Sequence, residues 1–207
     1  MTRTLRLLFI AAAMTGFLVF MLTSHLTARV NGTEILLPVE GYDPRDIFLG
    51  HFAELRTPLN SLRDDRVEVE AGLAAGDTVY VRLAQEPDGS VEAISIQATR
   101  PDDGLFAQGR LLGIHPAHGE WVEETDPETG ITLPRHRSTD ARRYEMAFNT
   151  ERYYAPRQRA LALEQRLRNR EVLGEAETRL ILSVTRDGRL LIKGIEQDGE
   201  RFEDRIW

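Results

Sequence analysis

TRLILSVTRDGRLLIKGI, residues 178–195, contains two runs in which aliphatic and β-branched side chains recur at alternate positions, joined by Asp187-Gly188. A period of two marks strands, and Asp-Gly suits a tight hairpin because glycine takes a positive φ without steric cost. The turn chemistry recurs at Gln197-Asp198-Gly199. Working back from this hairpin, residues 78–83 (TVYVRL) and 91–98 are β-branched runs separated by Pro87-Asp88-Gly89, which predicts a second hairpin. Residues 104–114 supply another strand. Residues 142–153 supply one more, with Tyr144, Met146 and Phe148 on one side. EILLPVE, residues 34–40, reads as a short strand, and residues 51–57 alternate weakly until Pro58 stops them. Between the last two long strands, residues 115–141 are rich in Pro, Gly, Glu, Asp and Thr and read as a long surface loop or an exposed hairpin. The conspicuous soluble helix follows Pro156, where RQRALALEQRLRNREVL combines strong helix formers with Ala160, Leu161, Leu163 and Leu167 mainly on one face. The predicted fold class is mostly β (α+β), with one helix after Pro156.

The chain has 207 residues, 42% of them hydrophobic and 29% charged, the composition of an ordinary folded protein. No acid precedes Glu34, whereas Arg3, Arg6 and Arg29 do, so the remainder carries 33 acids against 23 bases, a charge of −10. A surface of that sign repels phosphate backbones, and nucleic-acid binding is not expected. The absence of cysteine removes disulfides, thiolate zinc sites, iron–sulfur clusters, thiol nucleophiles and a lipoprotein anchor.

Residues 7–28 carry no Asp, Glu, Lys or Arg, with His25 their one ionisable side chain, and residues 7–22 are almost wholly apolar. About 20 such residues cross a hydrocarbon core of ~30 Å, which predicts a single transmembrane helix. Ala11-Ala12-Ala13 comes too early for signal-peptide cleavage, and Leu26-Thr27-Ala28 puts a bulky leucine where a small residue is needed, so the segment reads as an uncleaved anchor. Arg3 and Arg6 favour a cytoplasmic N-terminus. Residues 1–29 are then a cytoplasmic stub and anchor, and residues 30–207 an exported β-rich domain.

EGYDPRDIFLGHFAEL, residues 40–55, resembles the hallmark of the GDYXXLXY domain family. Gly50 and Leu55 match the pattern, with His51 at its Asp, Phe52 at its first Tyr and Thr57 at its second. Glu151-Arg152-Tyr153-Tyr154-Ala155-Pro156, leading into a helix with Glu164, is similar to a second family block, although Arg157 stands where Glu is expected. The final strand-turn-strand and the N-terminal membrane helix are similar too. The resemblance implies a small membrane-anchored bacterial protein with its domain in the periplasm, often encoded beside multi-spanning membrane proteins. It supplies no catalytic residue and no cofactor.

The expected function is therefore an exported accessory or assembly partner of a multi-spanning inner-membrane protein, held to the membrane by the N-terminal helix. Tyr42, Asp43, Arg45, Asp46 and Gly50 on the first block, and Arg152, Tyr153 and Tyr154 on the second, are the candidate contacts. The plainer alternative for the first block is a capped turn with an Asp–Arg ion pair. A rival reading is a tethered metal-binding protein or hydrolase using the 115–136 loop, where His115, His118 and His136 offer imidazoles among carboxylates. A self-associating structural protein of the envelope is a third. No G-x-S-x-G, S-x-x-K, H-E-x-x-H or phosphate-loop pattern occurs, and a Ser–Lys pair built from Lys193 with Ser183 or Ser95 would need a buried lysine, whereas Lys193, between Ile192 and Gly194 in an alternating strand, reads as an ordinary outward-facing residue, so no catalysis is expected.

Overall fold

A computed structural model describes residues 3–39, 52–125, 132–137, 140–154, 178–197 and 199–203, with backbone alone for 52–54, 120–125, 132–137 and 152–154. The protein is mostly β, with one N-terminal helix, α1 (Arg3–Asn31), apolar and long enough to cross a membrane. None of its residues is buried. At 1.5 Å per residue α1 is about 43 Å long, and it runs two residues past the position 29 at which the sequence placed the end of the anchor.

The two hairpins predicted from alternation form as expected. β12 (Thr178–Val184) and β13 (Leu190–Gln197) pair antiparallel, flanked by β1 (Thr33–Pro38) and by β14 (Glu200–Glu203), to give a four-stranded sheet of order β1-β12-β13-β14. β5 (Thr78–Gln85) and β6 (Val91–Gln97) form the second hairpin. They lie in a six-stranded sheet with β7 (Leu105–Pro116), β10 (Arg142–Ala147) and two short edge strands, β3 (Ser61–Arg63) and β4 (Glu68–Val69), in the order β3-β10-β7-β5-β6-β4. Of the two readings left open for residues 115–141, the hairpin is the one observed: β8 (Glu120–Thr125) pairs antiparallel with β9 (Thr132–Arg137). The predicted strand over 142–153 divides. β10 ends at Ala147, the chain reverses where Asn149 takes a left-handed φ of 60°, and β11 (Arg152–Tyr154) pairs instead with β2 (Phe52–Glu54). The helix read after Pro156 and the turn at 41–46 lie outside the described residues.

Both large sheets contribute to one core. From the first come Ile35, Leu37, Leu180, Leu182 and Ile195, and from the second Val79, Val81, Ile96, Leu111 and Met146, all 5% exposed or less. Burial of each such side chain contributes roughly 1.5–3 kcal/mol. Tyr144, Met146 and Phe148 are buried in this core, as their spacing predicts. The sheets also meet through backbone at their hairpin turns. Leu36 N–H donates to Gly89 O (2.8 Å), and Gln108 N–H to Gly188 O (2.7 Å). Gly188 has φ of +83°, and a Cβ there would lie 2.6 Å from the Phe106 ring, so the contact needs glycine on both counts.

Candidate functional site

β2 and β11 form a two-stranded ribbon in which Arg152 faces Glu54, Tyr153 faces Ala53 and Tyr154 faces Phe52. Leu55 N–H donates to Glu151 O (2.8 Å) and carries the ladder one step further. The foot of the ribbon is a polar knot. One Glu151 carboxylate oxygen accepts Phe148 N–H (2.6 Å) and the Asn60 amide (3.1 Å), and that amide also donates to Met146 O (3.1 Å). Asn60 Oδ1 in turn accepts both N–H (2.8 Å) and Oγ1–H (2.9 Å) of Thr57, which precedes the 3-10 turn Pro58–Asn60. Leu55, 1% exposed, anchors the same segment in the core.

This pairing unites the two blocks that the sequence singled out. Residues 40–51, with Tyr42, Asp43, Arg45, Asp46 and Gly50, lie outside the described residues but run directly into β2. Arg152, Tyr153 and Tyr154 are β11 itself. A family model described as GDYXXLXY protein matches residues 14–195, most of the chain. The chain belongs to the GDYXXLXY family. No curated protein and no solved structure matches it. The match begins inside α1, so the family model covers that helix from residue 14 to its end.

The family pattern acquires a physical meaning from its position. Its leucine, Leu55, is a core residue, and Thr57, at the second tyrosine of the pattern, is 4% exposed and hydrogen-bonded to Asn60. These two positions build the ribbon's exit. Sequence reading takes Pro58 only as a strand stop and Thr57 and Glu151 only as parts of the two family blocks, and it leaves Asn60 out; the hydrogen bonds among the three are not anticipated. The available signal was Thr-Pro-x-Asn, a capping residue followed by proline at the first turn position.

The histidines fall on three different segments. His115, on β7, has Nε2 3.6 Å from a Glu145 carboxylate oxygen, and Arg143 takes the other oxygen at 3.1 Å. His118 is exposed in the link after β7, and His136 stands opposite Trp121 in the β8–β9 hairpin. Among the described residues no three His, Asp or Glu side chains are grouped to hold a metal.

Lys193 has a different role from either reading given it by the sequence. Leu182 pairs with Ile192 and Ile181 with Gly194, which leaves Lys193 as the extra residue of a β-bulge. Its ammonium pairs with Glu34 (2.5 Å), whose other oxygen takes Arg201 (2.5 Å), so the cluster ties β1, β13 and β14 together. Burial pushes the Glu34 carboxyl up, but the hydrogen bonds from Lys193 and Arg201 outweigh it and hold the group below its ordinary value. Ser183 is fully buried, its Oγ 3.5 Å from Ala28 O, and Ser95 lies in the other sheet.

The bulge also receives the helix. Arg29, in the last turn of α1, donates from Nε to Ile192 O (3.1 Å) and from Nη2 to Lys193 O (2.8 Å). Gly32 alone joins α1 to β1, and a Cβ on it would strike Ser183 Oγ and lie 2.7 Å from Val184 O. The helix is thus bolted to the four-stranded sheet with no linker between them.

Proposed function

We propose that this protein is a single-pass anchored accessory module, its β domain on the periplasmic side of a bacterial inner membrane, that serves as an interaction or assembly partner of a multi-spanning membrane protein and performs no catalysis itself. The observation that carries this reading is the linkerless junction at Arg29 and Gly32. A long flexible linker would let a tethered domain sample many heights and orientations. A bolted one holds the domain at one height and one attitude, which suits a surface that must meet a partner in the same bilayer. Confinement also raises the effective concentration of the two without any new contact. The absence of acids before Glu34, with Arg3 and Arg6 ahead of the apolar run, supports the orientation. The contact surface is assigned to the β2–β11 ribbon and the GYDPRD segment that feeds it.

The test is affinity capture of the full-length protein from native membranes in mild detergent, with Arg45→Ala/Asp46→Ala and Tyr153→Ala variants alongside, and protease accessibility of the body in intact spheroplasts. A stoichiometric multi-spanning partner, lost in either variant, together with a body cleaved from outside, is the expected result. Recovery of the protein alone, or a body protected from external protease, overturns the reading.

A further inference from the structure

Beside α1 lies a groove of about 540 Å³, walled on one side by the helix from Phe20 to Asn31 and on the other by Thr185, Arg186 and Asp187 of the β12–β13 turn. The helix wall changes character along its length. Phe20 belongs to the apolar run that ends at Leu22, while Ser24 and Thr27 lie roughly 3 and 8 Å beyond Leu22 along the axis, the depth of a headgroup layer. Thr23 returns its hydroxyl to Val19 O and Phe20 O, but among the described residues neither Ser24 nor Thr27 has a hydrogen-bond partner.

The opposite wall is held rigid. Thr185 and Arg189 exchange backbone and side-chain hydrogen bonds across the turn, and the Arg100 guanidinium, stacked 5.5 Å over the Phe106 ring, donates to Arg186 O (2.8 Å). Asp187 is occupied by Thr185 Oγ1 (2.5 Å) and neutralised by Arg189 (2.7 Å). Arg186 is exposed, lines the groove, and among the described residues its guanidinium has no partner. The adjoining hollow, which Arg186 also lines, contains Arg100, Asp102 and Asp103, and Asp103 pairs with Arg82 (3.5 Å). The carbonyl end of α1 adds partial negative charge.

We propose that this groove binds one zwitterionic phospholipid whose headgroup carries a primary ammonium, of the phosphoethanolamine type. The phosphate sits on Arg186 and the Ser24 and Thr27 hydroxyls, one acyl chain follows the helix past Phe20, and the ammonium reaches outward to the terminal carbonyls of α1. Guanidinium–phosphate pairing supplies the anion contact. The partial negative charge of the helix end, with the Asp102 carboxylate, which has no partner among the described residues, favours a headgroup that carries an ammonium over one of net negative charge, and a quaternary ammonium lacks the N–H that the carbonyls accept. The proposal rests on α1 spanning the membrane as inferred above, and it adds what the domain does at the surface where that helix emerges: it takes a lipid as part of its seat.

The experiment is native mass spectrometry of the full-length protein in detergent, titrated with chain-matched phosphatidylethanolamine, phosphatidylcholine and phosphatidylglycerol. One ethanolamine lipid should be retained about tenfold or more in preference to the others, and Arg186→Glu should reduce retention by at least roughly tenfold. Arg110→Glu, an equal charge change on β7, should leave it unchanged, and the milder Ser24→Ala/Thr27→Val pair should weaken it if Arg186→Glu proves unstable. Millimolar inorganic phosphate should not displace the lipid; displacement would assign a free-phosphate site. Equal retention of the three lipids, or indifference to Arg186→Glu in a folded variant, overturns the site. Alkaline carbonate extraction of native membranes separates the two inferences: release of the protein defeats the anchor itself, whereas retention without lipid preference defeats this site alone.

Discussion

Replacing Arg29 with alanine removes both hydrogen bonds that bolt α1 to the bulge in β13, at 3.1 and 2.8 Å. A hydrogen bond to a charged donor contributes ~1.5–3 kcal/mol, and two on one guanidinium are not additive, so a combined loss of about 2–4 kcal/mol is expected. The loss falls on docking of the helix end and not on the β core, because none of the residues of the common core touched by this change is removed. It therefore corresponds to a rise of about 30- to 700-fold in the opening equilibrium of the junction. Amide hydrogen exchange reads such openings directly as protection factors. Full-length protein in liposomes should lose that protection in the last turn of α1 and at Lys193-Gly194, while β5 and β7 stay as protected as before. Arg29→Lys should fall between, since an ammonium lacks the planar fork that reaches two carbonyls. The chain has no cysteine, so spin labels on Phe17→Cys and Glu86→Cys report the helix–body distance without background. A protection change under about threefold, with a distance distribution as narrow as in the parent, would refute the bolted junction and with it the main support for the proposed function.

Glu151→Ala should destabilise the protein by about 2–3 kcal/mol, because it leaves Phe148 N–H and one of the two Asn60 amide hydrogens without an acceptor, whereas Glu151→Gln, which keeps an acceptor, should cost ~1 kcal/mol; thermal midpoints of the two variants in detergent check the order. Gly188→Ala combines a left-handed backbone with a Cβ 2.6 Å from the Phe106 ring, and a loss of about 2–4 kcal/mol is expected in the same assay. Glu34 predicts a pH dependence. Its folded carboxyl is held below the ordinary 4.5, so its stabilisation is fully present above that value and is lost as pH falls through the lower folded value. The carboxylate is partly solvated, which limits the effect to about 1 kcal/mol or less, and Glu34→Gln should flatten the acid limb of a stability–pH curve while leaving its alkaline side unchanged in shape.

The readable parts of this fold share a cause. Long strands with apolar alternation and a glycine turn, such as β5–β6 and β12–β13, declare themselves because burial on one face must repeat every two residues. β2, β3, β4 and β11 have two or three residues each, too few for a period, and their pairing is set by tertiary neighbours. The bulges were harder but left a trace. In β13 the residues that pack in the core are Leu190, Ile192 and Ile195, a spacing of two and then three, and the slip falls at Lys193. In β6 the same slip after Ala93 leaves Ile94 outside, 47% exposed, although simple alternation gives no reason to expect an isoleucine there. Reading Lys193 as an ordinary outward residue assumed an unbroken period. The slip instead frees two carbonyls for Arg29 and turns an ammonium toward Glu34. Those two interactions join elements far apart in sequence, so the seat of the helix depends on a single inserted position whose chemistry no local pattern announces.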